Sequence, residues 1–265
     1  MAGQAATRAR GIAFYTVAGI ATLLTTFLTI GSLLGLIAAQ TPDSRIAFFA
    51  HLPWLGLCYL AAFAAMLRRP ARKPAAWQQA AASAAAMYLG GLLAGEPDPV
   101  FYVSFGVLLL ALALLHPDRR SLLHTGPAGM SPILLPLALI AAAPLTVYAT
   151  RMLDLHASTG EGDAFYLGIA VAAFAVPLVG IVAGLRAPGY RLPLWAAGLT
   201  LMIVCLASLI ESDGSAAMPV WAATAGLLGG ALFVAAGEWE RRRAAATGAE
   251  DTDAQIVSAR ELARG

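Results

Sequence analysis

Apolar residues fall into eight long runs, separated by short segments rich in proline, glycine and charge. The runs are Gly11–Ala39, Ile46–Leu67, Ala75–Ala94, Val100–Leu115, Ile133–Leu155, Ala164–Leu185, Leu192–Ile210 and Ala217–Gly237. Crossing a bilayer core takes about 20 apolar residues, with a usable range of about 17–25. Each run therefore predicts a transmembrane helix, the first long enough to tilt and the fourth short. The breaks include Gln40-Thr-Pro-Asp-Ser-Arg45, Arg68-Arg-Pro-Ala-Arg-Lys-Pro74 and Gly95-Glu-Pro-Asp-Pro99. Proline lacks the amide donor that a helix interior needs, so these read as loops. The first run is far longer than the about 7–15 apolar residues of a cleaved signal peptide, and predicts an anchor that stays in the protein. The expected fold class is all-α: a polytopic membrane helix bundle of eight transmembrane helices over residues 11–237. A short tail, 1–10, precedes it and a charged tail, 238–265, follows.

Composition agrees. Of 265 residues, 59% are hydrophobic and 12% charged, against about 25% charged in an average soluble domain. A mean hydropathy of +0.73 excludes a cytosolic enzyme, a disordered chain and a nucleic-acid-binding module. Two cysteines exclude a disulfide scaffold.

Charge placement orients the bundle. Cytoplasmic segments collect Lys and Arg. With the N-terminus inside and eight crossings, the inner segments hold 15 of the 17 basic residues: Arg8, Arg10, Arg68, Arg69, Arg72, Lys73, Arg119, Arg120, Arg186, Arg191, Arg241, Arg242, Arg243, Arg260 and Arg264. Only Arg45 and Arg151 fall outside. Both termini are therefore expected in the cytoplasm of a cell-membrane protein.

The chain also carries an internal echo. Leu67-Arg-Arg-Pro-Ala-Arg-Lys-Pro-Ala-Ala-Trp77 aligns with Leu185-Arg-Ala-Pro-Gly-Tyr-Arg-Leu-Pro-Leu-Trp195 at a constant offset of 118 residues. Each segment leads into the third helix of a four-helix half, and each third helix ends in an acidic pair, Glu96 and Asp98 or Glu211 and Asp213. The pattern predicts a 4+4 tandem parallel repeat of halves 11–115 and 133–237, an arrangement also found in transporters. Gly31–Gly35, Gly180–Gly184 and Gly226–Gly230 have the Gly-x-x-x-Gly spacing of close helix contacts. Trp54, Trp77, Trp195, Trp221 and Trp239 all fall near expected helix ends, as an aromatic belt would place them.

Candidate chemistry is sparse. The middles of the eight runs hold no Asp, Glu, Lys or Arg, so a buried ion relay is not expected. Lys73 is the only lysine, which excludes a Schiff-base lysine in the last helix. No His-Glu-x-x-His motif occurs. The outer loops gather eight acidic residues: Asp43, Glu96, Asp98, Asp154, Glu161, Asp163, Glu211 and Asp213. With His51 and His156, the carboxylates Asp154, Glu161 and Asp163 form an outer-face metal candidate. The positive-inside rule alone also leaves outer loops acidic. His51 and His156 as paired haem ligands are weaker still. Arg151 and Asp154, at i and i+3, can pair on one helix face. Thr22, Thr25, Thr26 and Thr29 share a face, either a polar path or hydroxyls bonded to their own helix. Gln78 and Gln79 are expected to reach the headgroups, and Cys58 and Cys205 to act as small apolar fillers. In the tail, Thr252-Asp-Ala-Gln255 fits a capping box. No catalytic set is recognisable and no cofactor is implied.

The segments Leu115-His-Pro-Asp-Arg-Arg120, Leu185–Trp195 and Ala235-Ala-Gly-Glu-Trp-Glu240 resemble uncharacterised multi-pass membrane proteins of high-GC actinobacteria. The resemblance implies a cell-membrane location and no activity. The expected partners are the lipid bilayer and a membrane-protein partner or second copy, with no nucleic acid. Two function classes stand: an accessory or scaffold membrane protein, or a transporter of small molecules or lipid. A central cavity lined by the threonines would favour transport, and a solid Ala/Gly interior the scaffold.

Overall fold

The computed structural model describes residues 2–68, 70–95, 99–123, 125–126, 129–159 and 164–246. Among them are eight helices and no strand. They are α1 (Ala2–Ala38), α2 (Pro42–Met66), α3 (Pro74–Ala94), α4 (Pro99–Leu115), α5 (Leu134–Thr159), α6 (Ala164–Gly184), α7 (Arg191–Ile210) and α8 (Val220–Ala246). Each helix coincides with one apolar run. Six are long and apolar enough to cross a membrane: α1, α2, α5, α6, α7 and α8. Length and composition alone do not mark the other two. Gln78, Gln79 and Ser83 lower the hydropathy of α3, and α4 has 17 residues.

Several ends differ from the sequence expectation for local reasons. Helix α2 starts inside the segment read as a loop. Pro42 takes its first turn, where no amide donor is needed. Thr41 Oγ1 accepts from the Ser44 amide at 3.2 Å, and Ser44 Oγ accepts from the Thr41 amide at 3.2 Å. Helix α3 stops at Gly95, whose φ of 74° suits glycine. Helix α8 runs on to Ala246, so the boundary at 238 is not a helix end.

The greatest irregularity is in α2. Pro53 has no amide hydrogen for the Phe49 carbonyl, and the helix widens after it into a π-helical stretch, Trp54–Leu60. The Ala61 amide there reaches back five residues, to the Gly56 carbonyl. Trp54 lies in this stretch, buried in mid-helix, so it is not part of an aromatic belt. Trp77, Trp195 and Trp221 do sit near helix ends, whereas Trp239 lies seven residues before the end of α8.

Helix α6 is the centre. Of its apolar window 78% is buried, against 17% for α1. It packs on α5, α3, α7 and α2. The remaining contacts close two rings, α1–α2–α3–α4 and α5–α6–α7–α8, joined where α2 and α3 meet α6 and α7. Lipid is as apolar as leucine, so close backbone approach must hold such a bundle. Glycines supply it. A Cβ on Gly90 of α3 would come within 2.6 Å of Val171 on α6, and one on Gly168 would overlap the His51 ring. Gly180 and Gly184 seat α6 on Ala138 and Leu135 of α5, while Gly226 and Gly230 seat α8 on Cys205, Gly198 and Met202 of α7. The third pair differs: Gly35 meets Phe48 of α2, but Gly31 meets nothing.

Adjacent glycines make a controlled test. A Cβ at Gly230 would lie 2.8 Å from the Gly198 carbonyl oxygen, whereas one at Gly229 meets nothing within 4 Å. Gly230→Ala should destabilise the protein by about 1–3 kcal/mol. Gly229→Ala should stabilise it by up to about 1 kcal/mol. Thermal unfolding in one detergent measures both.

Candidate functional site

Polar side chains gather at two ends of the bundle and in one layer between them. At the acidic end, Asp43 sits in the first turn of α2. Its Oδ2 accepts from Tyr166 Oη of α6 at 2.9 Å, and its Oδ1 from the Ala216 amide at 2.8 Å. Arg45 forms an ion pair with Glu211 at 3.2 Å. Arg151 of α5 donates to the Ser215 and Ala217 carbonyls, at 2.7 and 3.2 Å, rather than to Asp154. Tyr148 Oη donates to the Ala216 carbonyl at 2.8 Å. The loop between α7 and α8 is thus held from two helices, α2 and α5, and Tyr166 of α6 braces Asp43. Sequence reasoning placed Asp43, Arg45 and Glu211 on this face but missed the clamp, and it missed Tyr148 and Tyr166 altogether.

Of the metal candidates, His51, Asp154 and His156 fall among the described residues. His51 Nδ1 lies 2.7 Å from the Ala47 carbonyl, and its ring fills the notch at Gly168. His156 is buried on α5, and α6 packs against both α2 and α5. Asp154, two residues from His156, is exposed, because residues two apart point to different sides of a helix. Glu161 and Asp163 lie outside the described residues, as do Glu96, Asp98, His124 and the tail from 247 on. Among the described residues, no group of three or more His, Cys, Asp or Glu is placed to hold a metal.

The middle layer joins α2, α3 and α7. Gln79 Nε2 donates to the Leu57 carbonyl at 2.7 Å and the Cys58 carbonyl at 3.1 Å. Ser83 Oγ donates to the Gln79 carbonyl at 2.9 Å, and Cys58 Sγ lies 3.8 Å from Thr200 Oγ1. All four side chains are fully buried. Gln79 therefore faces the π-helical stretch and not the headgroups, and Gln78 donates to the Leu122 carbonyl at 2.9 Å. Pro53 and Gly56 inside the second run were the available signals for this layer. The α1 threonines take the self-bonded alternative: Thr22, Thr25, Thr26 and Thr29 each donate to the carbonyl four residues back, at 2.7–2.8 Å.

At the basic end, Glu238 accepts from Arg191, from Trp195 Nε1 at 2.8 Å and from Arg241 at 3.0 Å. Ser131 Oγ donates to buried Glu240 at 2.7 Å and accepts from the Leu134 amide, capping α5. Arg10 donates to the Leu114 and His116 carbonyls at the end of α4. His116 is buried edge-on against Phe14, and its Nδ1 accepts from the Asp118 amide. Burial pushes the His116 imidazole below its ordinary value of 6.5.

These features are those of a helical membrane protein, with six helices long and apolar enough to cross a bilayer. No protein-family model matches the chain, and no curated protein or solved structure is significantly similar to it.

Two outcomes follow. Asp43→Ala removes the acceptor of the Ala216 amide and one bond of the Tyr166 hydroxyl, and should cost about 1–3 kcal/mol. Hydrogen exchange should then rise selectively across residues 211–219. The unfolded chain takes up the His116 proton near pH 6.5, while the fold prefers the neutral ring. The stability that neutral His116 contributes is present above that pH and lost as pH falls through it. The melting temperature should fall between about pH 7 and about pH 5, and His116→Gln should flatten that fall.

Proposed function

We propose that the protein is a cell-membrane scaffold or assembly factor of eight crossings, with both termini in the cytoplasm. The observation that carries this is the contact between the halves. It is closed by direct packing, Gly90 on Val171 and Gly168 on His51. The candidate polar path lies elsewhere, on peripheral α1, with its hydroxyls bonded to their own backbone. Close helix packing between the halves suits a protein that presents its outer helix faces to others.

Several contacts support the topology and the 4+4 repeat. Each third helix hydrogen-bonds through its offset-matched tryptophan to the fourth helix of its own half: Trp77 Nε1 to Leu109, and Trp195 Nε1 to Glu238. The inter-half contacts are reciprocal, α2 with α7 and α3 with α6. The basic end carries the segments that the charge rule assigns to the cytoplasm. A small-molecule or lipid transporter is the second reading. Two parallel halves with an interrupted α2 at their contact favour it.

Mild solubilisation from native membrane, followed by copurification with metal and lipid analysis, separates the two. The scaffold account expects a recurrent protein partner at fixed ratio, without a stoichiometric metal or small ligand. A partner-free protein that moves solute in proteoliposomes would refute it.

A further inference from the structure

Three buried side-chain atoms on or against the widened turn of α2 have no hydrogen-bond partner in the protein. They are Trp54 Nε1, Tyr59 Oη and Gln79 Oε1. Trp54 is 5% exposed, and Tyr59 and Gln79 are not exposed at all. They belong to one neighbourhood. The Trp54 and Tyr59 rings meet edge to face, with centroids 5.6 Å apart. The amide nitrogen of Gln79 holds the Leu57 and Cys58 carbonyls, on the two residues just before Tyr59. Burying one such atom without a partner costs its full desolvation penalty. In hydrocarbon no bulk water relieves it.

The three atoms are chemically complementary. The indole is a donor, the phenol both donor and acceptor, and the amide oxygen an acceptor. The widened stretch, Trp54–Leu60, contains no Asp, Glu, Lys or Arg, and neither does α3. The occupant that fits is therefore neutral. It must also be small, because the aromatic walls are close: Phe105 lies 5.2 Å and Phe63 6.0 Å from Tyr59, centroid to centroid. Water has this size and this bonding capacity, and proteins hold internal water at such polar sites. We propose that the π-helical turn of α2 is an internal hydration site, where ordered water bonds Trp54 Nε1, Tyr59 Oη and Gln79 Oε1. The site lies in the first half, where α2 meets α3 and α4, and is independent of the scaffold proposal.

Tyr59→Phe in the full-length protein in lipid nanodiscs gives a test with opposite signs. The substitution keeps the ring and deletes only the hydroxyl. If water satisfies that hydroxyl, its removal lowers the melting temperature by several degrees. If the hydroxyl is stranded, removal raises the melting temperature, and a rise or no change would overturn the proposal. The second measurement leaves the protein unaltered. With nitrogen-labelled tryptophan, the Trp54 indole proton should show magnetisation transfer with water. No transfer at Trp54 would also overturn it.

Discussion

A bilayer gives apolar helices no reason to prefer each other over lipid. Association then depends on how closely backbones approach, and here that approach is concentrated on α6. It meets α3 through Gly90, α2 through Gly168, and α5 through Gly180 and Gly184. A Cβ at Gly90 or Gly168 would collide with its neighbour, and one at Gly180 or Gly184 would press tightly on α5. The other helices assemble around α6 and the pairs it anchors, and α1 remains at the edge with most of its apolar surface toward lipid.

The same constraint accounts for the low hydropathy of α3. Its buried positions include Gln79, Ser83, Gly90 and Gly91, and they face protein. A helix packed on α6 and α2 does not need the hydropathy of one surrounded by lipid. Its glutamine instead serves α2, binding two carbonyls of the stretch that Pro53 disturbs. At the acidic end, Asp43, Arg45, Tyr148 and Arg151 hold the loop between α7 and α8. At the basic end, Ser131 and Glu240 tie the start of α5 to α8. Polar bonds, scarce in this chain, thus lie where helices must be fixed in register.

Much of the architecture was legible in the runs, because each long apolar segment is one helix. Charge and proline marked the breaks, although Pro42 proved to start a helix and not to precede one. Trp54 and Gln79 misled for a common reason. Position along a run does not reveal which face meets another helix, and both side chains point inward. The clamp at the acidic end was hidden by distance. Asp43 binds Ala216, 173 residues away, and no local pattern encodes that pairing. The metal candidates were chosen by composition and side of the membrane. Helix phase then turns Asp154 outward and His156 inward, while His51 sits on α2 against Gly168 of α6.

We propose that α3 crosses the membrane because α6 and α2 receive its polar face. The most direct measurement is labelling with a membrane-impermeant thiol reagent, applied to intact cells and to inverted vesicles. Single cysteines are placed at Ala71, just before α3, and at Ala94, its last residue. The native Cys58 and Cys205 are buried and serve as the unlabelled background. The account predicts labelling of Ala71→Cys only from the cytoplasmic side and of Ala94→Cys only from outside. Labelling of both from the same side would contradict it.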